Sequence, residues 1–396
     1  MSKLELRLAG VVAVLALVGA SCGSSGSSSS ASGKTLDLGA VLSLTGGGGV
    51  YGPQQKQAVE LAQQTINDGG GVNGAKVRVT VVDDASDKSQ AAQQTQTLIN
   101  QQRVTALLGP TLSNSAVAAH PIAANAKTPM LAVSTTGFNI VGPGCTYCNG
   151  WIFRDSLGEA DAIPTDIKAY VDAHHPKTGA LLYPNDDKFS ADGAQVVKST
   201  VGKYGIQLVQ SIEFTKAETD LTPYITKAVQ AKPDVIFVTS LGGIPAKIMS
   251  GARQLGFAGD FLGGNGFNSA AVSKQAAAAG KGAQSASAWF LGNDFPSNGD
   301  FVKAFKAKFG TDPDQFAAQA YTGMLILADA AKRAKLSYTN IPADRQKLRT
   351  ALESTDMQTP LGPFRFTKDH DVLQTIWVIA MDGTGGFTLV TSVKPS

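Results

Sequence analysis

The chain has 396 residues, with 34 Lys and Arg against 31 Asp and Glu, and only 16% of its residues are charged. A net charge of +3 with no basic cluster excludes a nucleic-acid surface, which needs a concentrated cationic face. The length suits two α/β domains of ordinary size.

Lys3 and Arg7 precede an apolar run from Leu8 to Ala20. This run is shorter than the ~20 residues of a spanning helix, and it has the form of a secretory signal. It closes on Val18-Gly19-Ala20-Ser21-Cys22, small residues leading into a cysteine. The pattern resembles a bacterial lipobox, whose cysteine is diacylated and becomes the first residue; Gly19 stands where Leu is usual. Gly23 to Gly33 is almost wholly Gly and Ser, a flexible coil that buries nothing. Residues 1–21 therefore read as a lipoprotein signal peptide, Cys22 as the lipidation site and 22–34 as a tether. No later apolar run approaches spanning length.

From Leu36 short apolar runs alternate with amphipathic stretches. Leu36 to Leu42 reads as a strand. A helix from Pro53 to Asn67 carries Ala58, Leu61, Ala62, Thr65 and Ile66 on one face, with Pro53 suited to its first turn. Strands at Val77–Val82, Ala106–Leu108 and Met130–Val133 alternate with helices Ser89–Asn100 and Ser113–Asn125. Continuous apolar strands separated by helices imply a parallel sheet covered on both faces. The rhythm restarts with strand Ala180–Tyr183 and a helix face marked by Ala194, Val197, Val201 and Tyr204. Strands Ile206–Phe214, Val235–Thr239 and Phe261–Leu262 follow, with helices Leu221–Gln230 and Pro245–Leu255 between them. A strand at Ala288–Leu291 then precedes helices Phe301–Phe309, Asp314–Ala334 and Pro342–Ser354. The chain ends in strands Phe364–Phe366, Gln374–Met381 and Phe387–Val393. Helix-rich and then strand-rich pieces, after two complete βα units, imply that the chain crosses between lobes more than once.

Two cysteines remain once Cys22 is set aside. Cys145 and Cys148 lie in Gly142-Pro-Gly-Cys-Thr-Tyr-Cys-Asn-Gly, among turn formers. A redox pair belongs at a helix start after a strand, and a zinc site needs two more ligands. In an exported chain the simplest reading is a structural disulfide. No metal or cofactor is expected.

Several segments, in order, resemble the branched-chain amino-acid-binding (Leu/Ile/Val-binding) branch of the type I periplasmic binding proteins of ABC transporters. They are Leu44-Thr45-Gly46, Tyr51-Gly52, Ala58 to Asn67, Gly70-Gly71-Val72-Asn73-Gly74, Asp83-Asp84, Leu108-Gly109-Pro110 with Ser113, Pro121-Ile122-Ala123 and Phe153-Arg154. The resemblance spans nearly all of Leu36 to Val393. It implies an α/β fold of two doubly wound, Rossmann-like lobes joined by three crossings, closing on a ligand like a flytrap. Cut to that pattern, lobe 1 holds 35–154 plus 286–359 and lobe 2 holds 155–285 plus 360–393. The implied role is ligand capture on the extracytoplasmic face of the membrane, as a lipid-anchored monomer that delivers to ABC permease subunits. The alternative is a lipoprotein that senses the ligand for a membrane receptor.

Ligands of open parallel sheets bind beyond the carboxyl ends of strands. Three such loops here are polar without charge: Ser43–Gly52, Gly109–Ser115 and Ser134–Thr136. By resemblance Ser113, Asn114, Ser134, Thr135 and Thr136 hold a carboxylate, while Tyr51, Phe189 and Tyr321 wall the cleft. The bare residues also allow Ser113 to be a helix cap and Tyr321 to be core. One departure bears on the ligand. Asn265, in Gly263-Gly-Asn-Gly-Phe267, stands where amino-acid binders of the family place the carboxylate that pairs with the ligand's ammonium. A carboxamide does not neutralise a buried cation. A free amino acid is therefore expected to bind poorly unless another carboxylate reaches in, and an amide or related small metabolite fits Asn265 better.

Enzymatic readings fare worse. Gly47–Gly52 fits a dinucleotide fingerprint, but the acid expected about 20 residues on is missing, Asp83 lying further along. There is no nucleophile elbow, phosphate loop or zinc-protease motif.

Overall fold

The computed structural model describes residues 33–395. The expected signal peptide, Cys22 and the tether as far as Ser32 lie outside them. In the first half the chain forms β1 (Thr35–Leu42), α1 (Gly52–Asp68), β2 (Lys76–Asp83), α2 (Lys88–Asn100), β3 (Ala106–Leu108), α3 (Ser113–Asn125), β4 (Met130–Ala132) and β5 (Ile152–Arg154). These strands make one sheet in the order β2-β1-β3-β4-β5, every pair parallel. The pleat explains why β1 is apolar on both faces from Leu38 to Leu42. Leu36, Leu38, Ala40 and Leu42 join the core beneath α1, whereas Val41 joins a second core with Ala91, Leu98 and Ala116 of α2 and α3.

The second half continues with α4 (Glu159–His174), β6 (Thr178–Pro184), α5 (Lys188–Thr200), β7 (Gln207–Phe214), α6 (Thr222–Gln230), β8 (Val235–Val238), α7 (Ile244–Gln254), β9 (Asp260–Gly263), α8 (Ala270–Ala276) and β10 (Gln284–Ser287). Then come α9 (Pro296–Phe309), α10 (Gln315–Ala334), α11 (Ile341–Glu353), β11 (Asp356–Thr359), β12 (Gly362–Arg365), β13 (Ile376–Met381) and β14 (Phe387–Val393). The second sheet runs β14-β13-β10-β9-β8-β6-β7; the β10–β13 and β13–β14 pairs are antiparallel and the rest parallel. The protein is thus α/β, with two lobes built on parallel sheets. α10 is buried on almost every side and packs with α1, α9 and α11 beneath the first sheet.

Two expectations need correction, and one helix is added. The strand placed at Ala288–Leu291 lies instead at Gln284–Ser287. Its side chains are polar because they answer buried groups: Gln284 donates to Asp166, and Ser285 to Asn268. Ser287 Oγ then accepts from Trp289 N and donates to Trp289 O, which turns the chain out of the sheet. The helix α4 was not anticipated, although Ala162, Ile163, Ile167 and Tyr170 form its buried face. Leu361, Phe364 and Phe366, assigned above to the second lobe, pack in the first lobe's core with Phe153. The chain joins the second sheet only at β13.

Two of the connections run side by side. Arg154 N donates to His370 O at 3.0 Å, and the Arg154 guanidinium pairs with Asp371, with Nε 2.9 Å from Oδ1. Cys145 and Cys148 form a disulfide with Cα atoms 5.5 Å apart, in the segment between β4 and β5. They are buried against Ile140 and Trp151, in the core of α2 and α3.

Candidate functional site

The first sheet reverses its winding between β1 and β3, and the second between β6 and β8. Crevices open at such points beyond the carboxyl ends of the strands. The two crevices face each other. Tyr51, Thr111, Leu112, Ser113, Ser134 and Phe316 line one wall, and Phe189, Leu241 and Asn265 the other. The space left between them is about 10 Å³. That is room for roughly one water, against ~300–1,000 Å³ for small-molecule sites, so a solute enters only as the walls part. A larger cavity of about 590 Å³ opens beside Trp289, Phe290 and Phe387 and touches none of the site residues named from the sequence.

The turn into α3 brings the first wall together. Gly109 adopts φ +100, and a Cβ there would lie 2.2 Å from Val41 O, so the loop after β3 crosses directly over β1. Thr111 consequently meets the β1 loop: Ser43 N donates to Thr111 Oγ1, which donates to Gln55 Oε1. Gln55 Nε2 donates to Ser134 Oγ at 2.9 Å, and Ser134 Oγ donates to Thr111 O at 2.7 Å. The Ser134 hydroxyl is therefore committed to this network. Ser113 opens α3 without capping it; its Oγ accepts from Gly137 N at 3.3 Å. The first N–H groups of α3 face the crevice end of the helix, where an anion is favoured. Thr135 is wholly buried with its hydroxyl unpartnered.

Contacts across the cleft are polar and specific. Tyr51 Oη donates to Gly266 O at 3.1 Å and accepts from Gly242 N at 3.0 Å. Burial of this hydroxyl, more than any charge, raises its pKa. Its ring packs on Phe316, centroids 4.5 Å apart. Asn114 Nδ2 donates to Asp187 at 2.6 Å while its Oδ1 accepts from Lys188 N, so this side chain ties α3 to the start of α5. Asn265 Oδ1 accepts from Gln315 Nε2 at 2.5 Å, and Asn265 Nδ2 reaches Ser134 O at 3.5 Å.

Of the residues named from the sequence, Tyr51, Ser113, Ser134, Phe189 and Asn265 share the cavity, whereas Asn114, Thr135 and Thr136, next to Ser113 and Ser134 in the chain, do not line it. Nor does Tyr321. Its ring lies on Phe301 of α9, 4.7 Å between centroids, inside the first lobe's core with Ala317 and Met324. Phe316, five residues earlier on the same helix, supplies the aromatic wall instead. Sequence reasoning also missed Glu159, which is 0% exposed in the first turn of α4. Its Oε1 accepts from Thr136 Oγ1 at 3.0 Å and from Asn265 N at 2.9 Å, and its Oε2 has no partner. Burial lifts its pKa to about 7, against the weaker opposing pull of those two bonds and of the Arg154 charge. The signal for it was Gly158-Glu159 opening a helix directly after the Arg154 crossing.

Comparison with known proteins gives the family and the fold. A family model described as periplasmic binding protein matches residues 35–386. The leucine-, isoleucine-, valine-, threonine-, and alanine-binding protein of Pseudomonas aeruginosa is 25% identical over 372 residues, 94% of this chain and 95% of its own. The Leu/Ile/Val-binding protein of Citrobacter freundii is 23% identical over 339 residues, covering 86% of this chain and 88% of that one. Among solved structures, the branched-chain amino acid transporter substrate binding protein of Streptococcus pneumoniae, in complex with isoleucine, superposes with TM-score 0.81 at 25% identity. That match covers 91% of this chain and all of the other. A solute binding protein of an R. palustris ABC transporter, in complex with benzoate, shares the fold with TM-score 0.82 at 21% identity, covering 91% and 97%. The chain belongs to the periplasmic binding protein family, whose members here are solute-binding proteins of the ABC-transporter type and not enzymes. Among the described residues no helix is long and apolar enough to cross a membrane, and no cluster of metal-ligating side chains occurs.

Proposed function

We propose that this chain is the lipid-anchored solute-binding subunit of an ABC importer, taking a small carboxylate between its two lobes and presenting it to permease subunits. The observation that carries the reading is the wall formed by Thr111, Ser113, Ser134 and the first turn of α3. The Thr111 and Ser134 hydroxyls donate within the wall and brace it. Its available donors are the Ser113 hydroxyl and the first N–H groups of α3, with no cationic side chain, facing the apolar Phe189 and Leu241. Such donors hold a carboxylate by direct hydrogen bonds, and the opposing apolar groups take its hydrocarbon. Ser113 and the N–H groups beside it receive the acid, Thr136 and Asn265 border its other polar end, and Tyr51, Phe189 and Phe316 enclose the body. Closure follows because a ligand touching both walls stabilises the closed form over the open one. Relatives named for amino acids and a benzoate complex with the same fold bracket the ligand class. Anchoring at Cys22, through the signal and tether read from the sequence, keeps the binder beside its transporter.

The test is a thermal-shift screen of the mature protein against amino acids, amides, small acids, polyamines and aromatic carboxylates, with hits measured by calorimetry. A ligand at ~100 times its Kd adds about 2.7 kcal/mol of stability, which the screen detects. No stabilising carboxylate, together with unchanged dimensions in solution scattering, would sink the reading.

A further inference from the structure

We propose that Glu159 is the acid that pairs with a cationic group of the ligand, replacing the carboxylate that Asn265 lacks. The inference deepens the proposed function and rests on it. It makes the solute an amine-bearing carboxylate rather than a plain acid or a neutral amide.

Asn265 carries no charge, and its carboxamide oxygen is taken by Gln315. One step away, the Glu159 carboxylate is held by Thr136 on the first lobe and by the backbone of the cavity-lining Asn265 on the second. Only Oε1 is used. Oε2 is fully buried, has no donor, and lies 2.7 Å from where a Cβ on Gly264 would sit. Glycine at 264 therefore preserves the room that this oxygen occupies. A buried carboxylate oxygen with no donor is costly and calls for a partner.

The resident cation does not serve. Arg154 is the positive charge that acts on Glu159, but its guanidinium is ion-paired with Asp371 and donates to Gly137 O. It makes no hydrogen bond to Glu159. Asp192, the other charge felt at Glu159, is acidic and bonded to Lys188. An ammonium arriving at Oε2 supplies the missing donor and the missing charge together. Thr136 then sits between the two ends of the ligand, with the first turn of α3 on the carboxylate side and Glu159 on the amine side.

The experiment compares amino acids with the acids that lack only the amine: leucine against 4-methylpentanoate, alanine against propionate, phenylalanine against 3-phenylpropionate. Calorimetry on the mature protein should show the amine-bearing member of the bound pair preferred at least tenfold. Glu159→Gln keeps the Oε1 acceptor and the volume, and should weaken the amino acid by about a hundredfold or more while leaving the amine-free acid unchanged or tighter. Glu159→Asp, which retains the charge, should keep the preference for the amine. A cooperative thermal melt of each variant certifies folding. Equal amino-acid affinity in wild type and Glu159→Gln overturns the pairing. Binding of the amine-free acids or benzoate alone also overturns it, and leaves the solute-binding reading intact. Binding of neither series counts against both.

Discussion

A carboxylate kept ready for a cation should weaken the unliganded fold, and the loss should follow a defined pH window. Burial moves the Glu159 pKa from the ordinary 4.5 up to about 7. Between those values the folded chain retains a proton that the unfolded chain releases, so stability falls as pH rises through that interval. The size follows from ~1.36 kcal/mol per unit, giving about 3 kcal/mol lost by pH 8 relative to pH 4. Glu159→Gln stays neutral at every pH and still accepts from Thr136 and Asn265 N. The variant should match wild type or fall slightly below it near pH 4, where its new amide donor meets no acceptor. By pH 8 it should be the more stable protein. Urea unfolding of both proteins at several pH values between 4 and 8 measures the difference directly. Asp155 and Asp314 are also buried with raised pKa values, but they are common to both proteins and cancel in the comparison. Asp166 is raised chiefly by burial and in small part by the Glu159 charge, so the variant relieves that part too and the difference between the proteins grows in the same direction. A stability difference that stays flat from pH 4 to 8 would refute the reasoning. It would mean that Glu159 is solvated or already paired in the free protein.

Tyr51→Phe removes the hydroxyl that joins Gly242 and Gly266 across the cleft, two hydrogen bonds worth ~0.5–1.5 kcal/mol each. Solution scattering should find the ligand-free variant more open than wild type, and affinity should drop about tenfold as the closed population falls; unchanged dimensions and affinity would argue against the latch. Replacing Cys145 and Cys148 together by Ser frees a very short loop, so the expected loss is only about 2 kcal/mol with ligand affinity retained. Thiol titration of the unfolded, unreduced protein should find neither sulfur reactive, and two free thiols or stoichiometric zinc would contradict the pairing. Cys22→Ser should release the protein from membranes or leave it unprocessed, since stable anchoring takes two acyl chains; normal cleavage with full membrane retention speaks against the lipid.

What was legible in the sequence is what local chemistry dictates. Apolar runs of strand length, helices with one buried stripe, and the Gly, Tyr and Asn-Gly spacing of the opening motif define an α/β chain of this family from residues alone. The same holds for Cys145 and Cys148, whose short separation and turn-forming neighbours leave few partners. Tyr51, Ser113 and Asn265 were named through the family resemblance, on loops that follow strands of a parallel sheet. The errors share one cause. Gln284–Ser287 does not look like a strand because its polar side chains are satisfied by Asp166 and Asn268, distant in sequence. Tyr321 and Phe316 sit on one helix with comparable local surroundings, and only the packing of α9 against α10 sends Tyr321 into the core and leaves Phe316 facing the cleft. Leu361 and Phe364 join the first lobe because Phe153 and the α9–α10 core bury them, a choice that their own segment does not contain. Glu159 is the clearest case. In sequence it is one acid in the first turn of a helix, where an acid is ordinary. Only the tertiary structure removes its water, fills one oxygen from both lobes and leaves the other without a donor, because burial and partnership belong to the packed whole and not to the segment.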